Sequence, residues 1–331
     1  MIYIETGVRD AAFNFSVEEY VAKHFPRDEP VMMLWQASKC VMLGSNQIAE
    51  AEVDIGYSDK EGIQIVRRSS GGGTIFTDFG TLLYTVIRPY TKDCDPLEVA
   101  KECVAGPVAE ALRSMGVPAK IEGRNDILVE GKKVSGFAQY IMYGRINTHG
   151  SLLFDTDLEM LSRVLRPDEG KVRSKAIGSV RSRVTNISDY MDHPCTITEF
   201  KELLKQSLFA GLQIMEHTLT DRDLFRIGGI YREKYGNPSR ITEQAPKFSY
   251  RNSKRFAGGR VDAHFDIAKG VVTSCKIRGD FLSVIPIGSL EKMFEGKLFQ
   301  RRIFAEVISG ISLHLYLGNI TGDEFLSCIF E

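Results

Sequence analysis

Two arginines and two serines run directly into three consecutive glycines, from Arg67 to Gly73. Glycine has no side chain, so its backbone N–H groups can approach a ligand closely and its φ angle can become positive. Successive N–H groups in such a turn form an anion-binding nest, and neighbouring arginines add charge-assisted hydrogen bonds. A plain glycine-rich hairpin turn would need neither cation. The segment therefore predicts a phosphate-binding loop.

This loop differs from the two common phosphate-binding motifs. The pattern Gly-x-x-x-x-Gly-Lys-Ser/Thr is absent from the sequence, which argues against a P-loop NTPase. The pattern Gly-x-Gly-x-x-Gly, counted from Gly71, fails at its sixth residue, Phe76, so the Rossmann fingerprint is missing as well. Apolar, β-rich residues lie on both sides of the glycines, at 63–67 and 82–87. We expect a strand–loop–strand element rather than a loop at a helix N-terminus.

A second group of chemically active residues lies between residues 123 and 136. Asn125 and Asp126 begin one predicted strand, and Lys133 begins the returning strand after a turn at 130–132. A lysine among small residues could reach a bound phosphate or a developing oxyanion there. Beside a phosphate site, the Asn-Asp pair could hold Mg²⁺. The alternatives are a strand-end cap for Asp126 and plain solvation for Lys133.

Length and composition limit the classes of protein. The 331 residues suffice for two domains, and the formal net charge of −1 argues against a nucleic-acid-binding or membrane-surface protein. No apolar run is long enough to span a bilayer, and the N-terminal residues lack the features of a signal peptide. The six cysteines include no Cys-x-x-Cys pair, which favours reduced thiols and a cytoplasmic protein.

Hydrophobic periodicity predicts the elements that position these residues. Predicted strands lie at 2–4, 31–35, 40–43, 63–67, 82–87, 126–129, 133–136, 260–267 and 271–277, and predicted helices at 10–25, 95–116, 196–208 and 224–235. Gly106-Pro107 should kink the second helix or divide it in two. The turn-rich stretch 236–253 is interpreted as a linker, and two helical stretches are expected from Ser289 onward. This pattern predicts a catalytic domain to about residue 245 and a small α+β domain after it.

Five segments together resemble the lipoate–protein ligase A family in their order and spacing. They are 67–76, 123–130, 133–136, 149–153 and 179–186. The resemblance extends from the first strand through the small C-terminal domain. It implies the α+β fold of the biotin and lipoate ligases, with a large mixed or antiparallel β-sheet flanked by helices at 1–245. Residues 246–331 would then form a small α+β accessory domain.

The resemblance also implies a reaction and its partners. The family activates lipoic acid with ATP and Mg²⁺ to lipoyl-adenylate, and then transfers the lipoyl group to a lysine of an acceptor. The implied partners are lipoic acid, the lipoyl domains of 2-oxoacid dehydrogenase acyltransferase subunits and the glycine-cleavage H protein, with no nucleic acid and no membrane. The residues agree with this chemistry, because a carboxylate that attacks a triphosphate needs cations to offset both charges.

Individual residues take roles from the same resemblance. The residues implied to bind ATP or the adenylate are Arg68, Gly73, Thr74, Ile75, Phe76, Asn125, Asp126, Lys133, Lys175 and Ser179. Those implied to bind lipoate are Arg68, Ser70, Gly72, Lys133 and His149. Lys133 would be the catalytic residue in both half-reactions, and Asp126 would contact Mg²⁺. The basic stretch 166–183 corresponds to the family's adenylate-binding loop. The alternatives are a satisfied core histidine at 149 and a solvated charged loop at 166–183.

Three positions depart from the family pattern. Thr77 replaces the usual histidine before Asp78, Ser45 replaces the usual arginine after Gly44, and 239–244 lacks the usual aromatic–glycine stretch. These departures leave open a catalytically weakened paralogue that binds lipoate or a nucleotide. A second alternative is an ATP-independent lipoyl or octanoyl transferase with a cysteine nucleophile, although no cysteine lies in the five segments.

Overall fold

Fourteen strands are found in the part of the chain that the computed structural model describes, which is residues 1–47, 49–166, 183–241, 250–268 and 270–330. In chain order they are β1 (Ile2–Ile4), β2 (Val31–Trp35), β3 (Cys40–Leu43), β4 (Gln64–Arg67), β5 (Ile75–Thr77), β6 (Thr81–Pro89), β7 (Ala119–Glu122), β8 (Asp126–Val129), β9 (Lys132–Met142), β10 (Arg145–Leu153), β11 (Met215–Glu216), β12 (Tyr250–Phe256), β13 (Gly259–Ala268) and β14 (Val271–Gly279).

The helices of the same described ranges flank these strands. In chain order they are α1 (Ala11–His24), α2 (Ala49–Glu52), α3 (Ile55–Glu61), α4 (Pro96–Ala100), α5 (Gly106–Ser114), α6 (Leu158–Val164), α7 (Ile197–Phe209), α8 (Asp221–Ile230), α9 (Ile287–Phe294), α10 (Arg301–Ser309), α11 (His314–Leu317) and α12 (Gly322–Phe330). Among them, none combines the length and the apolarity that a helix needs to cross a bilayer.

Eight of the strands form one mixed sheet in the order β11-β1-β2-β6-β10-β9-β8-β7. β1 pairs in parallel with β11 and β2, and the remaining neighbours pair antiparallel. Side chains alternate between the two faces of each strand. Residues such as Ile4 and Met33 therefore pack against α1 on one face, whereas Tyr3 and Leu34 join a second core with α5 and α7. The central strands are thus covered on both sides.

The glycine loop belongs to a separate, smaller sheet of the same domain. Its three strands lie in the order β4-β3-β5, with β3 parallel to β4 and antiparallel to β5. The loop connects β4 to β5, so the predicted strand–loop–strand element is present. β2 and β3 follow each other closely in the chain but lie in different sheets.

The helical stretch before β7 continues past Gly106-Pro107 without a break. Asp95 caps α4 by accepting a hydrogen bond from the N–H of Leu97 at 2.8 Å, as the sequence predicts. A π-helical turn at Lys101–Ala105 then joins α4 to α5. Because Pro107 cannot donate to the carbonyl four residues earlier, the wider turn ahead of it keeps the helix continuous.

The C-terminal domain packs its helices on an antiparallel sheet of β12, β13 and β14. Its core contains Phe265, Phe294, Phe304 and Phe325, all fully buried. Two predictions need correction here: residues 250–253 of the supposed linker are the beginning of β12, and α9 to α12 replace the two expected helical stretches. The boundary placed between residues 245 and 246 lies outside the described residues and stays a prediction.

The predicted fold class is confirmed. The larger domain is α+β with one large mixed sheet between helices, and the C-terminal domain combines a small antiparallel sheet with helices.

Candidate active site

Arg68 is buried at the start of the glycine loop, which we define as residues 68–74. Its Nε donates to Ser70 Oγ at 2.9 Å, and one Nη donates to a carbonyl of β3 at 2.8 Å. The other Nη donates to two carbonyls of the loop itself, those of Gly71 and Gly73, both at 2.8 Å. Arg68 therefore stabilises the shape of the loop from inside.

Arg67, one residue earlier, is also buried and also donates to backbone carbonyls. Its guanidinium donates to the carbonyls of Gly44 at 3.0 Å, Gln47 at 2.6 Å and Arg240 at 2.7 Å. Burial, reinforced by this neighbouring charge, lowers the pKa of Arg68 to about 10, which still leaves Arg68 charged at neutral pH. Two adjacent buried cations thus connect the loop to the segments around it.

Two N–H groups of the glycine loop contact the C-terminal domain. The N–H of Gly72 donates to the carbonyl of Phe281 at 2.8 Å, and the N–H of Gly71 donates to that of Ser283 at 3.5 Å. Gly72 has φ +89°, and a Cβ on Gly71 would lie 2.6 Å from the Ser283 nitrogen. Both positions therefore require glycine, one for its backbone conformation and one for the close approach of the other domain.

The β8–β9 hairpin presents Lys133 beside Asp126. Positive φ angles at Glu130 and Gly131 form the turn at the predicted place. A β-bulge shifts the register of the β8–β9 pairing beside Lys133. The Lys133 Nζ lies 2.8 Å from Asp126 Oδ1. A Cβ on Gly136 would lie only 2.6 Å from that Nζ. Gly136 therefore provides the space that the lysine side chain occupies.

Two cavities meet at Lys133. The first has a volume of about 650 Å³ and a mainly apolar wall. That wall includes Phe15, Trp35, Met42, Leu83, Phe137 and Leu282. The second has a volume of about 1080 Å³. Thr74, Ile75, Lys133, Gly136 and Ser151 line both. Groups bound in the two cavities would therefore approach each other next to the lysine ammonium.

The structure brings together most of the residues that the sequence proposes for the site. Those lining the first cavity are Arg68, Gly72, Gly73, Thr74, Ile75, Asn125, Lys133 and His149. Those lining the second are Thr74, Ile75, Phe76, Asp126 and Lys133. Ser70 lines neither cavity and is fully buried within the glycine loop. Lys175 and Ser179 lie outside the described residues.

His149 lines the first cavity through a ring whose nitrogens are both engaged. Its Nε2 lies 2.6 Å from Ser70 Oγ, and its Nδ1 lies 3.0 Å from Glu18 Oε2. Glu18 is fully buried in α1 and also accepts from Tyr140, whose pKa is raised well above its ordinary value by burial and by neighbouring acidic groups. The two interpretations of His149, a satisfied core histidine and a residue of the lipoate site, are therefore compatible, because both nitrogens have partners and the ring still lines the cavity.

Sequence reasoning missed two residues of this site. Glu18 lies in the predicted helix 10–25 and is not among the predicted site residues, although its position three residues after Phe15 puts both on one side of α1. Leu282 comes from the C-terminal domain and reaches the first cavity from there. No motif marks either residue, so only the Phe15–Glu18 spacing could have given a signal.

The departures from the family pattern lie at the edge of the site. Thr77 is fully buried, lines neither cavity, and its hydroxyl has no hydrogen-bond partner among the described residues. Asp78 accepts from the N–H groups of Gly80 at 2.9 Å and Asp157 at 2.8 Å, and burial raises its pKa. Ser45 donates its backbone N–H to the Ser70 carbonyl at 2.9 Å. Asp78 and Ser45 thus have structural contacts here.

Cysteine placement bears on the transferase alternative. All six cysteines fall within the described ranges, and none of them lines either cavity. Burial and the nearby Glu199 raise the pKa of the Cys195 thiol, whereas a cysteine nucleophile needs a lowered pKa. The arrangement offers no activated thiol beside Lys133.

Comparison with known proteins places the chain among ligases. The family model for the lipoyl protein ligase A/B catalytic domain matches residues 10–209, more than half of the sequence, and that for the bacterial lipoate protein ligase C-terminus matches residues 245–329. The chain belongs to the lipoate–protein ligase family. The lipoate-protein ligase LplJ of Bacillus subtilis (strain 168) is 36% identical over the full length of both chains.

Solved structures of lipoate–protein ligases agree with this assignment. A bi-partite lipoate protein ligase from Thermoplasma acidophilum, solved in a study that includes its E2 lipoyl domain, is 28% identical with a TM-score of 0.66. The match covers 75% of this chain and 98% of that one. A lipoate-protein ligase A bound with ATP is 26% identical, with a TM-score of 0.62, over 73% of this chain and 98% of that one. The predicted family and the ligase activity, rather than the transferase alternative, are confirmed.

Proposed function

We propose that this lipoate–protein ligase activates lipoic acid with ATP, releasing pyrophosphate, and transfers the lipoyl group from lipoyl-adenylate to a lysine of an acceptor domain. The catalytic domain would comprise residues 1–245 and the accessory domain residues 246–331. The observation that carries the proposal is the meeting of the two cavities at Lys133. A reaction that joins an apolar carboxylic acid to a nucleotide needs two such sites with one cation between them.

The chemistry of each wall suggests which substrate it receives. The first cavity suits the apolar chain of lipoic acid, because aromatic and aliphatic side chains form most of its wall. Arg68, Ser70, Gly72 and His149 would shape this site, with Ser70 acting from its buried position within the glycine loop. The second cavity would receive the adenosine of ATP, with Phe76 in its wall. The lipoate carboxylate would then point toward Lys133.

Lys133 would serve both half-reactions. In the first, a carboxylate oxygen attacks the α-phosphorus of ATP and the bond to the β-phosphate breaks. The ammonium would offset the charges of the carboxylate and the α-phosphate. In the second, the acceptor amine attacks the acyl carbon, AMP leaves with the shared oxygen, and the amine loses a proton. The same ammonium would stabilise the negative charge that develops on the acyl oxygen.

Loop and hairpin residues would hold the nucleotide. Gly73, Thr74, Ile75 and Phe76 would contact it from one side, and Asn125 and Asp126 from the other. Thr74 is already oriented, because its hydroxyl donates to Gln47 Oε1 at 2.7 Å. Lys175 and Ser179, in the basic stretch 166–183, would contribute further contacts to the adenylate.

The residues around Asp126 fit a magnesium ion that is shared with a substrate. Among the described residues, no group of three or more His, Cys, Asp or Glu side chains could hold a metal by itself. Mg²⁺ prefers one or two carboxylates together with phosphate oxygens and water. Asp126 would supply that carboxylate in the wall of the second cavity. Bound there, Mg²⁺ would neutralise phosphate charge.

The acceptors would be lipoyl domains, such as those of 2-oxoacid dehydrogenase acyltransferase subunits and of the glycine-cleavage H protein. Support comes from the solved archaeal ligase, which was studied with its E2 lipoyl domain. Free lipoic acid and ATP would be the small-molecule substrates. Neither nucleic acid nor a membrane is required by this reaction.

The test measures pyrophosphate release from ATP, Mg²⁺ and lipoic acid, followed by the mass of a lipoyl domain added as acceptor. We expect the wild-type protein to release pyrophosphate and to modify the domain. Lys133→Ala should lower the rate of release about 100-fold to 1000-fold, because one charge-stabilising donor is lost. The neighbouring Lys132 is exposed, and Lys132→Ala is the matched control.

Two results would contradict the proposal. Modification of the acceptor from an octanoyl-carrier donor without ATP would indicate a transferase. Tight binding of lipoate and ATP by the wild-type protein without pyrophosphate release would indicate a binding protein that has lost catalysis. Equal rates for Lys133→Ala and Lys132→Ala would remove the role given to Lys133.

A further inference from the structure

Glu18 begins a buried chain of hydrogen bonds that reaches the glycine loop. His149 Nδ1 lies 3.0 Å from Glu18 Oε2, and His149 Nε2 lies 2.6 Å from Ser70 Oγ. Arg68 Nε donates to the same Ser70 Oγ at 2.9 Å. All four residues are buried, with Glu18 and Ser70 fully so. The chain thus connects α1 to the cation that shapes the loop.

Chemistry fixes the hydrogen-bond direction at Arg68, and the neutral form of His149 fixes the directions that follow it. A guanidinium only donates, so Ser70 Oγ accepts from Arg68 and keeps its own proton for His149. A neutral imidazole carries one proton, and a bare Nδ1 would face the Glu18 carboxylate with no hydrogen between them. The network therefore assigns the proton to His149 Nδ1 and makes Nε2 the acceptor. Every donor in the chain then points toward Glu18.

A second branch of the same network reaches the wall of the first cavity. Trp35 Nε1 donates to Thr85 Oγ1 at 3.2 Å, and Thr85 Oγ1 donates to Glu18 Oε1 at 2.7 Å. Trp35 and His149 both line the first cavity. One carboxylate therefore orients two residues in the wall of the first cavity and, through Ser70, the cation of the glycine loop.

We propose that Glu18 is a positioning residue for adenylate formation, acting through His149 and Ser70 to hold Arg68 and the glycine loop in their reactive arrangement. This inference rests on the proposed function for its catalytic consequence. Its structural content, the Nδ1–H form of His149 and the directional chain to Arg68, is independent of activity.

Glu18→Gln is the first test, because it keeps the size of the side chain and replaces one acceptor oxygen by a donor. The new NH₂ group would oppose one of the donors that now point at Glu18. We expect kcat for pyrophosphate release to fall about 10-fold to 100-fold, the range for a buried group left without its partner. In a Ser70→Ala background, Glu18→Gln should lower kcat by less than about 2-fold, since the chain is already cut. Fully additive losses would overturn the proposal.

The second test detects the hydrogen-bond chain by a measurement that does not depend on enzymatic activity. In the full-length wild-type protein, the ¹⁵N shifts of His149 should report the Nδ1–H tautomer, and in Glu18→Gln they should move toward Nε2–H. A wild-type Nε2–H tautomer would overturn the proposal. Absence of pyrophosphate release by the wild-type protein would instead contradict the proposed function, and the tautomer measurement would still decide whether the chain exists.

Glu291→Gln is the matched control for loss of a buried carboxylate. Glu291 is 4% exposed in the C-terminal domain and accepts from the N–H of Ile277 at 2.8 Å and from Arg278 at 2.9 Å. We expect its kcat to stay within about 2-fold of wild type, because Glu291 lines neither of the two cavities and takes no part in the hydrogen-bond chain from Glu18 to Arg68. A loss of kcat as large as that of Glu18→Gln would overturn the positioning role.

Discussion

The glycine loop and the β8–β9 hairpin each carry a cation next to glycine, but the two cations have different partners. Arg68 is 4% exposed and donates to Ser70 and to carbonyls of its own surroundings. The Lys133 side chain is 35% exposed, pairs with Asp126 and borders both cavities. Most of the N–H donors of Arg68 already have protein acceptors before any substrate binds. The Lys133 ammonium, in contrast, can still turn toward a bound substrate.

The two cations therefore have different tasks: Arg68 stabilises the structure of the site, and Lys133 acts on the bound substrates. Arginine presents five donors in a fixed planar fork, which suits several carbonyls at once. Lysine is a compact charge on a flexible stem, which suits a reacting centre that changes between two half-reactions. Removing the first cation should therefore affect both stability and activity, and removing the second should affect activity alone.

Arg68→Met is the strongest test of this comparison. The substitution keeps bulk but removes the donors, so we expect the free energy of unfolding to fall by about 3 kcal/mol as buried carbonyls lose their partners. We also expect kcat for pyrophosphate release to fall about 100-fold. Denaturant unfolding and the pyrophosphate assay measure the two effects. Lys133→Met should lower kcat alone.

Arg113→Met is the control for loss of an arginine–carbonyl bond. Arg113 donates to one carbonyl, that of Ala119 at 3.0 Å, and we expect its unfolding free energy to change by about 1 kcal/mol or less. If Arg68→Met lost activity with unchanged stability, Arg68 would belong with Lys133 as a ligand-facing cation, and the comparison would fail.

Gly136→Ala addresses the hairpin side of the comparison and should have a smaller effect. The new Cβ would lie 2.6 Å from Lys133 Nζ and 2.7 Å from its Cε, so the flexible end of the lysine must move. We expect kcat to fall about 10-fold through this displacement, with stability changed by less than about 1 kcal/mol. Gly229→Ala, where a Cβ would meet no atom within 4 Å, is the control. An unchanged kcat would mean that the lysine acts from another position.

Sequence reasoning identified both basic segments but could not separate their tasks. The strand–loop–strand element and the hairpin turn follow from local patterns, and both are present. Whether a cation is buried depends on which carbonyls surround it, and those come from other segments of the chain: β3 supplies one for Arg68, and residue 240 supplies one for Arg67. Sequence order alone does not show that Arg68 has its partners inside the protein.

The same reason explains the residues that sequence reasoning missed. A glutamate in a helix is usually solvated, and the Phe15–Glu18 spacing alone does not identify the partners of Glu18, which come from β6, β9 and β10. Leu282 joins the site through contacts between domains. The turn-rich stretch 236–253 is typical of a linker in sequence, but its last residues begin β12, a strand that is ordered by pairing with β13. Local periodicity does not report such long-range contacts.

Leu282→Ala should have the smallest effect and tests whether the glycine loop works together with the C-terminal domain. Leu282 lines the first cavity, next to the carbonyl of Phe281 that accepts from Gly72. Shortening the side chain should raise KM for lipoic acid about 3-fold to 5-fold, because part of an apolar wall is lost, while KM for ATP stays the same. Leu298, 45% exposed in the same domain, provides the control variant Leu298→Ala. An unchanged KM for lipoic acid would mean that the C-terminal domain leaves the glycine loop before lipoic acid binds, so that the loop would act with the larger domain alone.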